Sequence, residues 1–271
     1  MSYLEDIFSL EGQTAVVSGG AGAIGTVMSD ALLKAGAKVV VWSKTRKSLD
    51  AFKQRYINNP KLREKILTAE VDASDEQSVE RAFAEAADYF GTPEILINGV
   101  GGNHGKGSFV DIDVETFKNI VELNLIAGLV VPTKVFCKRW IDESVQGAII
   151  NLTSMTSYNP LSGVWAYNAA KSATLNLTMA TANEFAEHGI RVNAIAPGFF
   201  LGKQNRALLV DEKTGAYTER GEAVINRTPF RRFGEVSELA GATVFLASQR
   251  AAGFITGVSL PVDGGYLVHN I

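Results

Sequence analysis

Seven short runs rich in β-branched residues recur along this chain, at 14–17, 39–41, 66–71, 95–97, 148–152, 192–195 and 258–262. They are almost continuously apolar, as strands buried on both faces must be. Stretches with apolar residues at helical spacing separate them, most clearly at 25–35, 78–89, 114–140, 166–187 and 236–247. Strand followed by helix, repeated this often, specifies an α/β fold: a Rossmann-like, doubly wound parallel sheet of about seven strands with helices on both faces. Crossovers should be right-handed. A single domain over 1–271 accounts for the whole chain. The long polar connection at 199–228 reads as a lid or substrate loop.

Charge excludes some partners. The chain has 26 basic and 29 acidic residues, for a net charge of -3, and no basic excess that would favour nucleic acid. Its first residues, Met1 to Asp6, lack the apolar core of a signal peptide, and no stretch reads as the roughly 18 consecutive apolar residues that span a bilayer. No membrane partner and a cytoplasmic location are therefore expected. The lone Cys137 forbids an intrachain disulfide and reads as a small core residue. His and Cys do not cluster at ligand spacing, so no metal is expected.

The first strand runs into Ser18-Gly19-Gly20-Ala21-Gly22-Ala23-Ile24-Gly25, and a helix follows. Glycines at such a turn let the backbone approach a pyrophosphate, and the helix N-terminus offers free N–H groups. A plain tight turn needs glycine too, but this one follows the first strand of a βαβ series. The second strand ends Val41-Trp42-Ser43-Lys44-Thr45-Arg46. An acid there would hold the ribose hydroxyls of NAD and repel a 2′-phosphate. Ser43, Lys44 and Arg46 instead favour NADP on electrostatic grounds, with NAD left open.

Tyr167 and Lys171 stand four apart within a helical stretch and so share one face. Asn151-Leu152-Thr153-Ser154 closes the fifth strand thirteen residues before the tyrosine. A phenol titrates near pH 10, too high for an efficient base at neutral pH. A neighbouring ammonium and a positive nicotinamide are expected to lower it. Ser154 is placed to stabilise charge developing on a substrate oxygen.

Taken in order, these segments resemble the short-chain dehydrogenase/reductase family. Ser18 to Gly25 resembles its Thr-Gly-x-x-x-Gly-x-Gly fingerprint, with Ser for Thr and Ala23 in place of the middle glycine. Asn98-Gly99-Val100-Gly101 stands where that family has Asn-Asn-Ala-Gly. Leu123-Asn124-Leu125, Ser154, Tyr167-Asn168-Ala169-Ala170-Lys171, Arg191 to Gly198 and Val262-Asp263-Gly264-Gly265 supply the later landmarks. The resemblance implies an NAD(P)-dependent enzyme that interconverts a secondary alcohol and a ketone. Catalysis would fall to Asn124, Ser154, Tyr167 and Lys171, with Asn124 anchoring a relay water. The dinucleotide would lie against Ser18, Gly19, Gly22, Ala23, Ile24, Gly25, Ser43, Lys44, Asp72, Ala73, Asn98, Gly99, Tyr167, Lys171, Pro197 and Gly198. Asp72 would read the adenine amino group. Kinship also implies a homotetramer or homodimer.

Two polar segments, Gly101 to Lys106 and Phe199 to Arg206, resemble those of members that act as D-mannonate oxidoreductases (fructuronate reductases). A small-molecule sugar acid is thus expected, with Asn103, His104 and Ser154 on its hydroxyls and Lys203, Asn205 or Arg206 on its carboxylate. A 3-oxoacyl-thioester reductase is a rival within enzymes, although the polar run from Lys203 to Arg206 suits an acyl chain poorly. A non-catalytic dinucleotide-binding sensor is the rival of another class.

Overall fold

The computed structural model describes residues 2–202, 206–211 and 214–270. Seven strands form one sheet: β1 (Thr14–Ser18), β2 (Lys38–Ser43), β3 (Ile66–Glu70), β4 (Ile95–Asn98), β5 (Ala148–Leu152), β6 (Arg191–Pro197) and β7 (Ser259–Val262). Their order is β3-β2-β1-β4-β5-β6-β7, and every pairing is parallel. The helices among the described residues are α1 (Tyr3–Phe8), α2 (Ala23–Lys34), α3 (Arg46–Gln54), α4 (Pro60–Arg63), α5 (Glu76–Phe90), α6 (Val114–Val121), α7 (Val131–Glu143), α8 (Trp165–Phe185), α9 (Arg206–Leu209), α10 (Glu219–Arg227), α11 (Leu239–Ala247) and α12 (Gln249–Ala252).

The continuous apolar runs follow from burial on both sides. Successive strand side chains point to opposite faces. Val17, Val39, Val41, Ile95, Ile97 and Ile150 pack on one face with Leu32 of α2 and Leu246 of α11. Val16, Val40, Leu96 and Ile149 pack on the other with Phe83 of α5 and Phe136 and Trp140 of α7. Each such side chain contributes roughly 1.5–3 kcal/mol by leaving water. Cys137 is buried in the second layer, as its position on the helical stretch suggested.

The helix expected over 114–140 runs over Val114–Glu143, with a π-helical stretch, Glu122–Val130, between α6 and α7. It corrects one expectation. By length and composition alone this helix could cross a membrane, yet 56% of its most apolar window is buried inside the fold. The polar connection at 199–228 carries secondary structure among its described residues. It contains α9, α10 and a bridge between Val210 and Tyr217. Leu209, Val210, Val224, Ile225 and Phe233 form a small core of their own, against which Phe199 and Leu201 rest.

Candidate active site

Strand order reverses between β1 and β4, so the connections that leave their carboxyl ends part to opposite sides and open a crevice, the usual ligand position in such sheets. A cleft of about 710 Å³ lies there. Ser18, Gly19, Gly22, Ala23, Ile24, Gly25, Ser43, Lys44, Asp72, Ala73, Gly99, Pro197 and Gly198 line one part of it, and Ser154, Tyr167 and Lys171 line another.

The glycine turn is shaped by close backbone approach. Gly19 has φ +69°, and a Cβ on Gly25 would meet Gly19 O at 2.3 Å. Gly22 is the N-cap of α2 and Ala23 its first residue, so the alanine is accommodated on the cleft wall. The Ser18 hydroxyl is buried without a partner at the rim of this turn. A cradle of glycine backbone, an uncovered helix N-terminus and a spare hydroxyl fit a dinucleotide pyrophosphate.

Asn98 is not among the residues that line the cleft. It is buried, and its Nδ2 donates to Thr133 Oγ1 at 3.0 Å and to Asn151 Oδ1 at 2.9 Å. Asn151 in turn donates to Thr178 Oγ1 of α8 at 2.9 Å. The last residue of β4 still alternates into the sheet, so this asparagine ties β4, β5, α7 and α8 together behind the site.

Asn124 sits in the π-helical stretch and is fully buried. Its Nδ2 donates to Gly102 O at 2.6 Å and to Ile120 O at 2.9 Å, and its Oδ1 accepts from Gly102 N at 3.0 Å. The loop after β4 is thereby clamped to the long helix. A Cβ on Gly101 would fall 2.7 Å from Asn124 Oδ1 and 3.3 Å from Lys171 Nζ. Only glycine lets the loop, Asn124 and Lys171 close to this spacing.

Ser154 follows β5 and caps a short 3-10 turn, Met155–Ser157, its Oγ accepting from Thr156 N at 3.2 Å. Ser157 Oγ donates to Lys171 O at 2.7 Å and accepts from Ser154 N at 3.3 Å, holding the serine loop against α8. Lys171 Nζ donates to Leu152 O at 2.7 Å and lies 5.7 Å from the centre of the Tyr167 ring. Burial draws the Lys171 amine down to about 8. Burial also pushes the Tyr167 phenol above its ordinary value, and Ser154 offsets this only in part.

The substrate expectations fare differently. Asn103, His104 and Arg206 are exposed and do not line the cleft. Asn103 turns its Nδ2 onto Gly105 O at 3.0 Å within its own loop. Lys203 and Asn205 lie outside the described residues. The cleft adds residues that sequence reasoning passed over, among them Trp42, Ser74, Asn119, Glu122, Phe199 and Phe200. Asn119 and Glu122 stand three apart near Asn124, so helical spacing could have found them.

A family model described as enoyl-(acyl carrier protein) reductase matches residues 19–267. An uncharacterized oxidoreductase of Bacillus subtilis, UxuB, is 38% identical over 97% of each chain. A candidate D-mannonate oxidoreductase from Haemophilus influenzae, solved with bound NAD, superposes with a TM-score of 0.90 at 31% identity, over 98% of this chain and 99% of that one. A gluconate 5-dehydrogenase from Burkholderia cenocepacia, solved with NADP and tartrate, superposes with a TM-score of 0.87 at 29% identity, over 99% and 100%. With this fold, this cleft and these relatives, the chain belongs to the short-chain dehydrogenase/reductase family of NAD(P)-dependent oxidoreductases.

Proposed function

We propose that this enzyme interconverts the secondary alcohol and ketone of a sugar acid, the D-mannonate/D-fructuronate pair being the leading case. The observation that carries the chemistry is the meeting of Ser154, Tyr167 and buried Lys171 at one part of the cleft. The likeness to the Haemophilus protein supports the substrate class.

Bound NAD(P) supplies or accepts the hydride and, when oxidised, brings a positive ring to the site. The protein's part is to move one proton and hold one oxygen. Tyr167 donates its phenolic proton to the carbonyl oxygen in reduction and takes it back in oxidation. Ser154 hydrogen-bonds the same oxygen as charge develops there. Lys171 sits beside the phenol, and Asn124 fixes the loop that packs on that amine. Lys171 also holds the nicotinamide ribose, and a water anchored near Asn124 connects the amine to solvent.

The segment 199–228 acts as the substrate lid. It packs on its own small core, and Phe199 and Phe200 reach from it into the cleft. Closure would bring Arg206 toward the carboxylate. The subunits assemble as a homotetramer or homodimer, a reading that the exposed Phe254 and Val258 beside β7 support.

The direct test is cofactor oxidation with D-fructuronate, run with NADH and with NADPH, using Tyr167→Phe as control. Turnover that the variant loses is expected. Turnover on D-gluconate-type substrates alone would move the assignment to the gluconate dehydrogenases. Arg206→Ala should raise the sugar-acid KM and leave thermal stability unchanged; an unchanged KM removes Arg206 from the site.

A further inference from the structure

Two ion pairs stand where β2 and β3 end. Lys44 Nζ lies 2.7 Å from Asp72 Oδ2, and Arg46 Nε lies 3.9 Å from Glu70 Oε2. The cations follow β2 and the acids close β3, whose register sets Ser43 opposite Glu70. The second oxygen of Asp72 accepts from Ser74 N at 3.1 Å and from Ser74 Oγ at 2.7 Å. Ser43, Lys44, Asp72 and Ser74 all line the cleft. Each cation that the sequence offers to a 2′-phosphate therefore already faces a carboxylate.

We propose that Asp72 sets the cofactor preference by holding Lys44, so that a 2′-phosphate enters only by drawing Lys44 away from it. The proposal rests on the reading of the cleft as the dinucleotide site. An unphosphorylated ribose presents only hydroxyls and leaves the pair intact. A phosphate carries roughly two negative charges at neutral pH, so it competes with Asp72 for Lys44. Lys44 and Ser74 hold the Asp72 carboxyl at about 2, and it opposes the phosphate at every working pH. The Lys44 side chain is 74% exposed and that of Asp72 39%, so the pair is a modest barrier that water screens. Such a site takes both cofactors and discriminates weakly between them.

The test uses 5′-AMP and 2′,5′-ADP, which differ only in the 2′-phosphate, titrated calorimetrically into the full chain without turnover. Asp72→Asn should raise the affinity for 2′,5′-ADP relative to 5′-AMP by about fivefold, the scale of one exposed ion pair; both ligands carry the adenine that Asp72 is expected to read, so loss of that contact cancels in the ratio. Lys44→Ala should weaken 2′,5′-ADP alone. In the Lys44→Ala/Asp72→Asn double variant the gain should vanish. A gain that persists without Lys44, or an Asp72→Asn protein whose affinity for 2′,5′-ADP relative to 5′-AMP does not rise, overturns the proposal. Asp72→Ser removes the same charge should the asparagine variant fail to fold. If the unsubstituted chain binds neither nucleotide, the assignment of the cleft itself fails, and the proposal with it.

Discussion

The wall of the cleft built by β1, β4, β5 and α8 and the wall built by 199–234 are made differently. In the first, backbones approach so closely that a Cβ is excluded at Gly25 and Gly101, and Asn98, Asn124 and Asn151 are buried and bonded. In the second, two short helices share a small cluster around Leu209, Val224 and Phe233. Ser154, Tyr167 and Lys171 line the cleft from the closely packed wall, and Phe199 and Phe200 line it from the other. An enzyme built this way can keep its reaction while its second wall is rewritten for another substrate.

The largest expected effect tests the closely packed wall's chemistry. Tyr167→Phe should lower kcat/KM about 10²–10⁴-fold, the usual range for a lost acid–base group, with thermal stability retained. Retained turnover would move proton transfer to another residue.

Next comes the geometry behind it. Gly101→Ala should destabilise the protein by about 1–3 kcal/mol, because its Cβ overlaps a buried, bonded Asn124 Oδ1. Gly102→Ala, with nothing within 4 Å of the added carbon, is the control and should cost far less. Equal losses in denaturant melts would mean that close approach is not what glycine serves there.

The second wall is probed by Phe233→Ala. Opening the small cluster should raise the sugar-acid KM severalfold and leave 5′-AMP binding unchanged. If nucleotide binding falls with it, the two walls are one unit.

The smallest expected effect is a pH slope. Folding lowers the Lys171 pKa from 10.5 to about 8, so between these values the unfolded chain binds the extra proton and stability rises with pH. At neutral pH the buried charge costs on the order of 3 kcal/mol. Melting temperatures should climb from pH 8 toward pH 10 relative to Lys171→Met, which lacks the titrating amine. Parallel profiles would show that the amine is better solvated than its burial implies.

The strands were legible because burial on both faces leaves a continuous apolar signature, and each expected run coincides with an observed strand to within two residues at either end. Ser154, Tyr167 and Lys171 were legible because a helix spacing and a strand end put them at one edge of the sheet. The bonding of Asn98 was not legible: its neighbour Gly99 lines the cleft, while alternation along the strand turns the Asn98 side chain inward onto Asn151. Asn103, His104 and Arg206 follow the site closely in sequence, yet they stand exposed off the cleft lining, and Arg206 would meet the substrate only on closure of its segment.

Sequence alone determined the fold class, the glycine cradle and the Ser-Tyr-Lys set, since these rest on periodicities and short spacings that local geometry converts directly into position. Tertiary structure alone decided that Lys171 is buried, where the Asn98 amide points, and that Lys44 faces Asp72. Those depend on how much water is excluded and on which strands become neighbours, and both are properties of the packed sheet.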